Sequence, residues 1–132
     1  MFIAGFDRAK QEVFLNLAYT MVYADGRLDE KEQQLFASYQ IETDLDMSKV
    51  HKVDFEQELA VFDDCTMQEK QKIFFELYAI ALIDEVYADE ERKLVEIVKK
   101  RFNIPDDKMN DMKEALTTFI NAYNKLSQVV TN

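Results

Sequence analysis

The chain has 132 residues, 48% hydrophobic and 12% aromatic, which suits one domain with its own core and excludes a disordered acidic tail. Two glycines and one proline are too few for the turns of a strand-rich domain, so an all-α fold is expected. A net charge of −10 opposes binding to phosphate backbones and anionic membranes, so no nucleic acid is expected and the natural counterparts are cations or basic proteins.

The opening Met1-Phe2-Ile3-Ala4-Gly5-Phe6 is too short an apolar stretch for a signal peptide, and Asp7 and Arg8 follow it directly. From about 7 to 24, Val13, Phe14, Leu17, Ala18, Met21 and Val22 recur at helical spacing. Asp25-Gly26 is expected to end that helix, with the glycine in the left-handed conformation. Asp29 opens the next as an N-cap, with Glu32 three residues on as in a capping box, and Leu35, Phe36 and Tyr39 turn inward. Glu42 to Asp46 reads as a polar connection. A shorter helix is predicted from about Ser48 to Ala60 on Val50, Val53 and Leu59, before a break at Asp63-Asp64-Cys65.

Thr66-Met67-Gln68-Glu69 is a capping box opening a strongly apolar helix through Ile83. Its buried face is expected at Phe74, Leu77, Tyr78, Ala81 and Leu82, widened by Phe75 and Ile80. A helix from about Ala88 to Phe102 follows, with Leu94, Val95, Ile97 and Val98 inward. Asn103-Ile104-Pro105-Asp106 breaks it. The last helix is predicted from about Asp107 to Leu126, with Met109, Met112, Leu116, Phe119, Ile120 and Tyr123 inward and a frayed tail after Ser127. No window reaches the apolar length of a membrane span, so no membrane insertion is expected. The single cysteine, Cys65, excludes an internal disulfide and suits a reducing cytoplasm; as a residue it reads as a small buried apolar group. The single histidine, His51, cannot build a zinc site alone and reads as a solvated bystander. Lys99-Lys100-Arg101 complements a helix C-terminus and needs no nucleic acid.

The chain also repeats itself. Around Asp25 it reads Tyr19-Thr20-Met21-Val22-Tyr23-Ala24-Asp25-Gly26-Arg27-Leu28-Asp29-Glu30-Lys31-Glu32, and around Asp84 Tyr78-Ala79-Ile80-Ala81-Leu82-Ile83-Asp84-Glu85-Val86-Tyr87-Ala88-Asp89-Glu90-Glu91. An offset of 59 (84 − 25) pairs Tyr19 with Tyr78, Asp25 with Asp84, Glu32 with Glu91 and Leu35 with Leu94. The tetrapeptide Val22-Tyr23-Ala24-Asp25 recurs as Val86-Tyr87-Ala88-Asp89 at an offset of 64 (86 − 22), but that register sets Leu35-Phe36 against Lys99-Lys100. A buried stripe does not map onto lysines, so the offset of 59 is preferred. The expectation is a single domain over residues 1–132, a bundle of about six helices. Within it, two pseudo-symmetric helix-turn-helix repeats occupy about 10–41 and 69–102.

The acidic turns do not make an EF-hand. With Gly26 at loop position six, Leu28 and Glu32 fit positions eight and twelve, but Met21 and Tyr23 fall where positions one and three need oxygens. Each acid also has a plain structural use: Asp25 ends a helix, Asp29 caps one, and Glu32 favours a positive helix N-terminus. Yet Asp84 and Glu91 persist in the second copy, where the cap has become Ala88 and the glycine Glu85.

The two motifs, Ala24-Asp25-Gly26-Arg27-Leu28-Asp29-Glu30-Lys31-Glu32 and Ala81 to Glu91, resemble the paired signature of the TerB-like family, which includes tellurite-resistance proteins and a domain of DjlA co-chaperones. The resemblance covers roughly residues 10 to 125. It implies an all-α bundle of two helical repeats and an acidic cluster for a divalent metal, often calcium. Carried over residue by residue, that cluster is Asp25 and Glu32 from the first copy and Asp84 and Glu91 from the second, with Asp29 as a fifth. Glu85 departs from the family's glycine and adds a carboxylate. No His-Pro-Asp tripeptide of a J-domain is present.

The function expected is therefore a non-enzymatic, cytoplasmic, TerB-like module of a stress or tellurite/metal-resistance system, binding a divalent cation or a basic protein partner. The alternative is a protein-interaction scaffold whose carboxylates only cap helices. A small hydrolase is the least supported reading, since paired carboxylates stand without a nucleophile.

Overall fold

In the computed structural model, residues 1–23, 30–83 and 89–132 are described, apart from the side chain of Ile83. They form six α-helices and no strand: α1 (Arg8–Val22), α2 (Glu30–Thr43), α3 (Phe55–Leu59), α4 (Met67–Ile83), α5 (Asp89–Arg101) and α6 (Asp106–Thr131). The fold is the helical bundle that composition and periodicity lead one to expect. The expected helix end at Asp25-Gly26 and the cap at Asp29 lie outside the described residues.

The helix starts keep the repeat register. α1 and α4 begin 59 residues apart (67 − 8), and so do α2 and α5 (89 − 30). The N-caps correspond as well. Asp7 Oδ1 accepts the Lys10 N–H at 2.9 Å and Thr66 Oγ1 accepts the Glu69 N–H at 3.1 Å. Glu69 reaches back to the Thr66 N–H at 3.0 Å, completing the capping box read from the sequence. Before the caps, Phe6 N–H bonds to the Ile3 carbonyl at 3.1 Å and Cys65 N–H to the Phe62 carbonyl at 3.0 Å, with Ile3 and Phe62 both fully buried. The correspondence thus spans 3–45 and 62–104, wider than the short motif implies.

Burial follows the same register. Phe14, Leu15, Ala18, Met21 and Val22 of α1 are buried, and so are their counterparts Ile73, Phe74, Leu77, Ile80 and Ala81 of α4. In α2 the buried residues are Glu32, Phe36, Tyr39 and Thr43, and their counterparts Glu91, Val95, Val98 and Phe102 are buried too. Phe14, Phe36 and Tyr39 meet edge to face at 5.3 and 5.9 Å between ring centres, geometry that aromatic pairs prefer. Leu35 and Leu94 were expected in the core, but both are only partly buried, as are Val13, Phe75 and Leu82. Each flanks a helix face whose centre is held by its neighbours.

Two further expectations need correction. The connection between the repeats is not a helix from Ser48. Residues Met47–Lys49 make a single 3₁₀ turn and 50–54 are without helix. α3 starts only at Phe55, where Asp54 accepts the Gln57 N–H at 3.1 Å. Phe55, Leu59 and Phe62 rather than Val50 and Val53 carry its burial. The last helix neither turns its apolar residues inward nor frays after Ser127. α6 runs to Thr131, none of its residues is buried, and Phe119, Ile120 and Tyr123 are exposed. Of α6 only Met109 and Met112 are packed against the core, because helical spacing marks an apolar face without fixing what covers it.

Candidate functional site

Glu32 and Glu91 are the third residues of α2 and α5. Each of these helices opens on acids, Glu30 and Glu32 in one, Asp89, Glu90 and Glu91 in the other. Acids in a first turn complement the positive end of the helix dipole. Glu30, Asp89 and Glu90 do so from exposed positions. Glu32 and Glu91 instead are 5% and 1% exposed. Dipole complementation does not require burial, and removing a charged carboxylate from water costs several kcal/mol unless other groups compensate it. The two carboxylates therefore stand out from the other first-turn acids in both copies.

The end of α1 and its counterpart in α4 are rich in aromatic rings. Tyr19 and Tyr23, at the end of α1, lie with ring centres 4.5 Å apart, and Tyr19 meets Phe36 of α2 at 6.1 Å. The Lys52 ammonium sits 5.4 Å from the centre of the Tyr23 ring, a cation–π distance. In the second copy Phe74 and Tyr78 pack at 5.6 Å, and burial pushes the Tyr78 phenol up.

Asp25, Asp29 and Asp84, the other candidate ligands, lie outside the described residues. Among the described residues no three His, Cys, Asp or Glu side chains are grouped so as to hold a metal ion. A complete cation site would need carboxylates from residues 24–29 or 84–88 beside Glu32 or Glu91.

A third acid, outside the repeated motif, is buried as well. Glu76 of α4 is 5% exposed, at the position where the first copy has Leu17. Its Oε1 accepts the Phe2 N–H at 2.8 Å and lies 3.3 Å from the terminal ammonium. Glu42 of α2 assists, accepting the Ala4 N–H at 2.9 Å. Together they fasten the first turn of the chain over Ile3, whose carbonyl accepts from Gln11 Nε2 at 3.1 Å. Burial, then the Glu76 carboxylate, holds the Tyr39 phenol well above its ordinary pKa. The signal was present: Glu76 interrupts a run of apolar residues between Phe75 and Leu77.

The remaining polar groups offer little chemistry. A cleft of about 400 Å³ is lined by Arg8, Glu12, Asn16, Asp46, Lys49 and His51, with both signs of charge interleaved. His51 is exposed, its N–H bonded to Asn16 Oδ1 at 3.0 Å. Cys65 is buried as expected, and burial pushes its thiol pKa up. Among the described residues no helix is long and apolar enough to cross a membrane.

No protein-family model, curated protein or solved structure matches the chain.

Proposed function

We propose that the chain is a non-enzymatic, TerB-like module of a stress or tellurite/metal-resistance system that takes up a divalent cation, calcium foremost, at the acids of its repeated motif. The observation that carries this reading is the burial of Glu32 and Glu91 at equivalent places in two copies of one motif. A carboxylate kept from water a few residues from further acids in the sequence is well placed to serve a cation. Asp25, Asp29 and Asp84 are the remaining proposed ligands. Calcium suits such a set better than magnesium, because it accepts six to eight oxygens at roughly 2.3–2.6 Å in flexible geometry. Five carboxylates drawn together would repel one another, and a cation would relieve that repulsion.

Calorimetric titration with calcium tests the proposal on the wild type and on Asp25→Asn/Asp84→Asn. Binding heat in the wild type that vanishes in the variant is expected. Equal, negligible heats in both would reject the site.

The second reading is a protein-interaction scaffold. One observation favours it: Glu76 is a buried acid whose partners are a backbone amide and an ammonium, so in this chain a buried carboxylate can serve structure alone. A basic protein partner would then meet the acidic surface without any metal.

A further inference from the structure

Among the described residues α6 is the one long helix without a buried residue, and its surface is sharply divided. Leu116, Phe119, Tyr123, Leu126 and Val130 follow one another at alternating spacings of three and four, continuing from Met109 and Met112. That is the seam of a coiled coil, sustained over three heptads. The opposite face carries Asn110, Glu114, Thr117, Asn121, Asn124 and Gln128. Only the first turns of the seam lie on the bundle, where Met109 and Met112 pack against the core. Beyond them Phe119, Ile120, Tyr123, Leu126, Val129 and Val130 are 43% to 71% exposed.

Local propensity does not explain a helix here. Thr117, Thr118, Asn121, Asn124 and Thr131 are poor helix formers, and in proteins most helical stability comes from packing of an apolar face rather than from propensity. Something that covers the apolar face has to supply the stability.

We propose that this something is the α6 of a second copy of the chain, the two helices pairing along the Leu116–Val130 seam. Three features select a like partner. First, the spacing is that of a helix made to meet another helix of the same pattern. Second, the stretch 115–131 contains no acid and only one base, Lys125, in a chain of net charge −10. It is the surface on which two copies can meet without opposing carboxylates. Third, the positions flanking the seam are Ala115, Ala122 and Val129 on one side and Ile120 and Ser127 on the other, small or apolar groups that let two helices approach closely. The area is sufficient. Six residues exposing roughly 100 Å² each give about 600 Å² per copy, or about 1,200 Å² for the pair, the lower bound of a specific interface. The groove formed by Phe2, Phe75, Met112, Leu116 and Phe119 adjoins the seam and extends it. A lipid surface fits less well, since between 115 and 131 the helix carries a single base, Lys125, where interfacial helices are rich in lysine and arginine. This inference is independent of the cation reading.

Sedimentation velocity of the full chain at rising concentration provides the test, with Tyr123→Glu/Leu126→Glu as the comparison. Both residues are exposed, so the variant keeps the bundle, which an unchanged near-ultraviolet spectrum verifies. The wild type is expected to pass from monomer to dimer, at lower concentration when added salt screens the net charge, and the variant to stay monomeric. A wild type that remains monomeric up to roughly 0.1 mM, where weak pairs form, overturns the proposal. So does a variant that dimerises like the wild type. A monomeric wild type that binds neutral phosphatidylcholine vesicles would likewise overturn it, assigning the face to lipid.

Discussion

Asp44 and Asn103 stand 59 residues apart (103 − 44) and adopt the same left-handed backbone, with φ of 56° and 55°. Each follows the last turn of the second helix of its repeat, and each is followed by a buried apolar residue, Leu45 and Ile104. After α5 the Ile104 N–H bonds to the Lys99 carbonyl at 3.0 Å and the Asn103 N–H to the Lys100 carbonyl at 3.3 Å, the Schellman arrangement. After α2 the Asp44 N–H bonds to the Gln40 carbonyl at 2.8 Å. A chain with two glycines thus uses Asp and Asn where a left-handed residue is required, twice and in register.

Replacing Asn103 by glycine is therefore expected to leave stability unchanged or slightly raised. Replacing it by alanine should cost about 1–2 kcal/mol, the penalty of a Cβ in this conformation. Urea unfolding of the two variants measures the difference. Equal stability of Asn103→Ala and Asn103→Gly would show that the left-handed position is not needed.

Core truncation should separate two leucines. Leu77 is 1% exposed and its loss to alanine should cost about 2–5 kcal/mol. Leu94 is only partly buried at the edge of the core, so Leu94→Ala should cost less, below about 2 kcal/mol. Chemical denaturation of both decides it. A larger loss at Leu94 than at Leu77 would contradict the observed packing.

The Asp63–Arg101 pair ties the break before α4 to the end of α5. Arg101 Nε donates to Asp63 Oδ1 at 2.9 Å and Nη2 to Oδ2 at 2.7 Å. The guanidinium holds the Asp63 carboxyl below its ordinary pKa. A depressed folded-state value means the pair's contribution is present above the unfolded pKa of about 3.9 and is lost as pH falls through the lower native value. Asp63→Asn should therefore be less stable than the wild type at pH 7, modestly because both groups are solvent-accessible. The gap should close as pH falls through that lower native value. A gap that widens on acidification would reverse the sign.

Much of the fold was legible because helix-forming stripes, the Thr66 capping box and the 59-residue offset are local or periodic signals. Phe14, Leu17, Phe36, Leu77 and Val95 fall where spacing places them. Spacing identifies an apolar face but not what covers it. Hence α6 was read as a core helix although Tyr123 and Leu126 are exposed. The start of α3 was misplaced because Val50 and Val53 imitate a helical face, while the cap that starts the helix is Asp54. Of the candidate site, Glu32 and Glu91 were legible from the repeat. Their burial was not, since first-turn acids usually face water. Glu76 was passed over because an acid within an apolar stripe looks like an exception until its partners, the Phe2 N–H and the terminal ammonium, are seen.

The cation reading is tested most directly by the melting temperature of the wild type and of Glu32→Gln/Glu91→Gln with and without calcium. A ligand that binds only the folded state stabilises it by mass action, by about 2.7 kcal/mol at a hundred-fold excess over Kd. The account predicts that calcium raises the wild-type melting temperature and that the neutral variant, still helical, loses this rise. A wild type that melts at the same temperature in calcium and in chelator would contradict it, leaving Glu32 and Glu91 as structural groups alone.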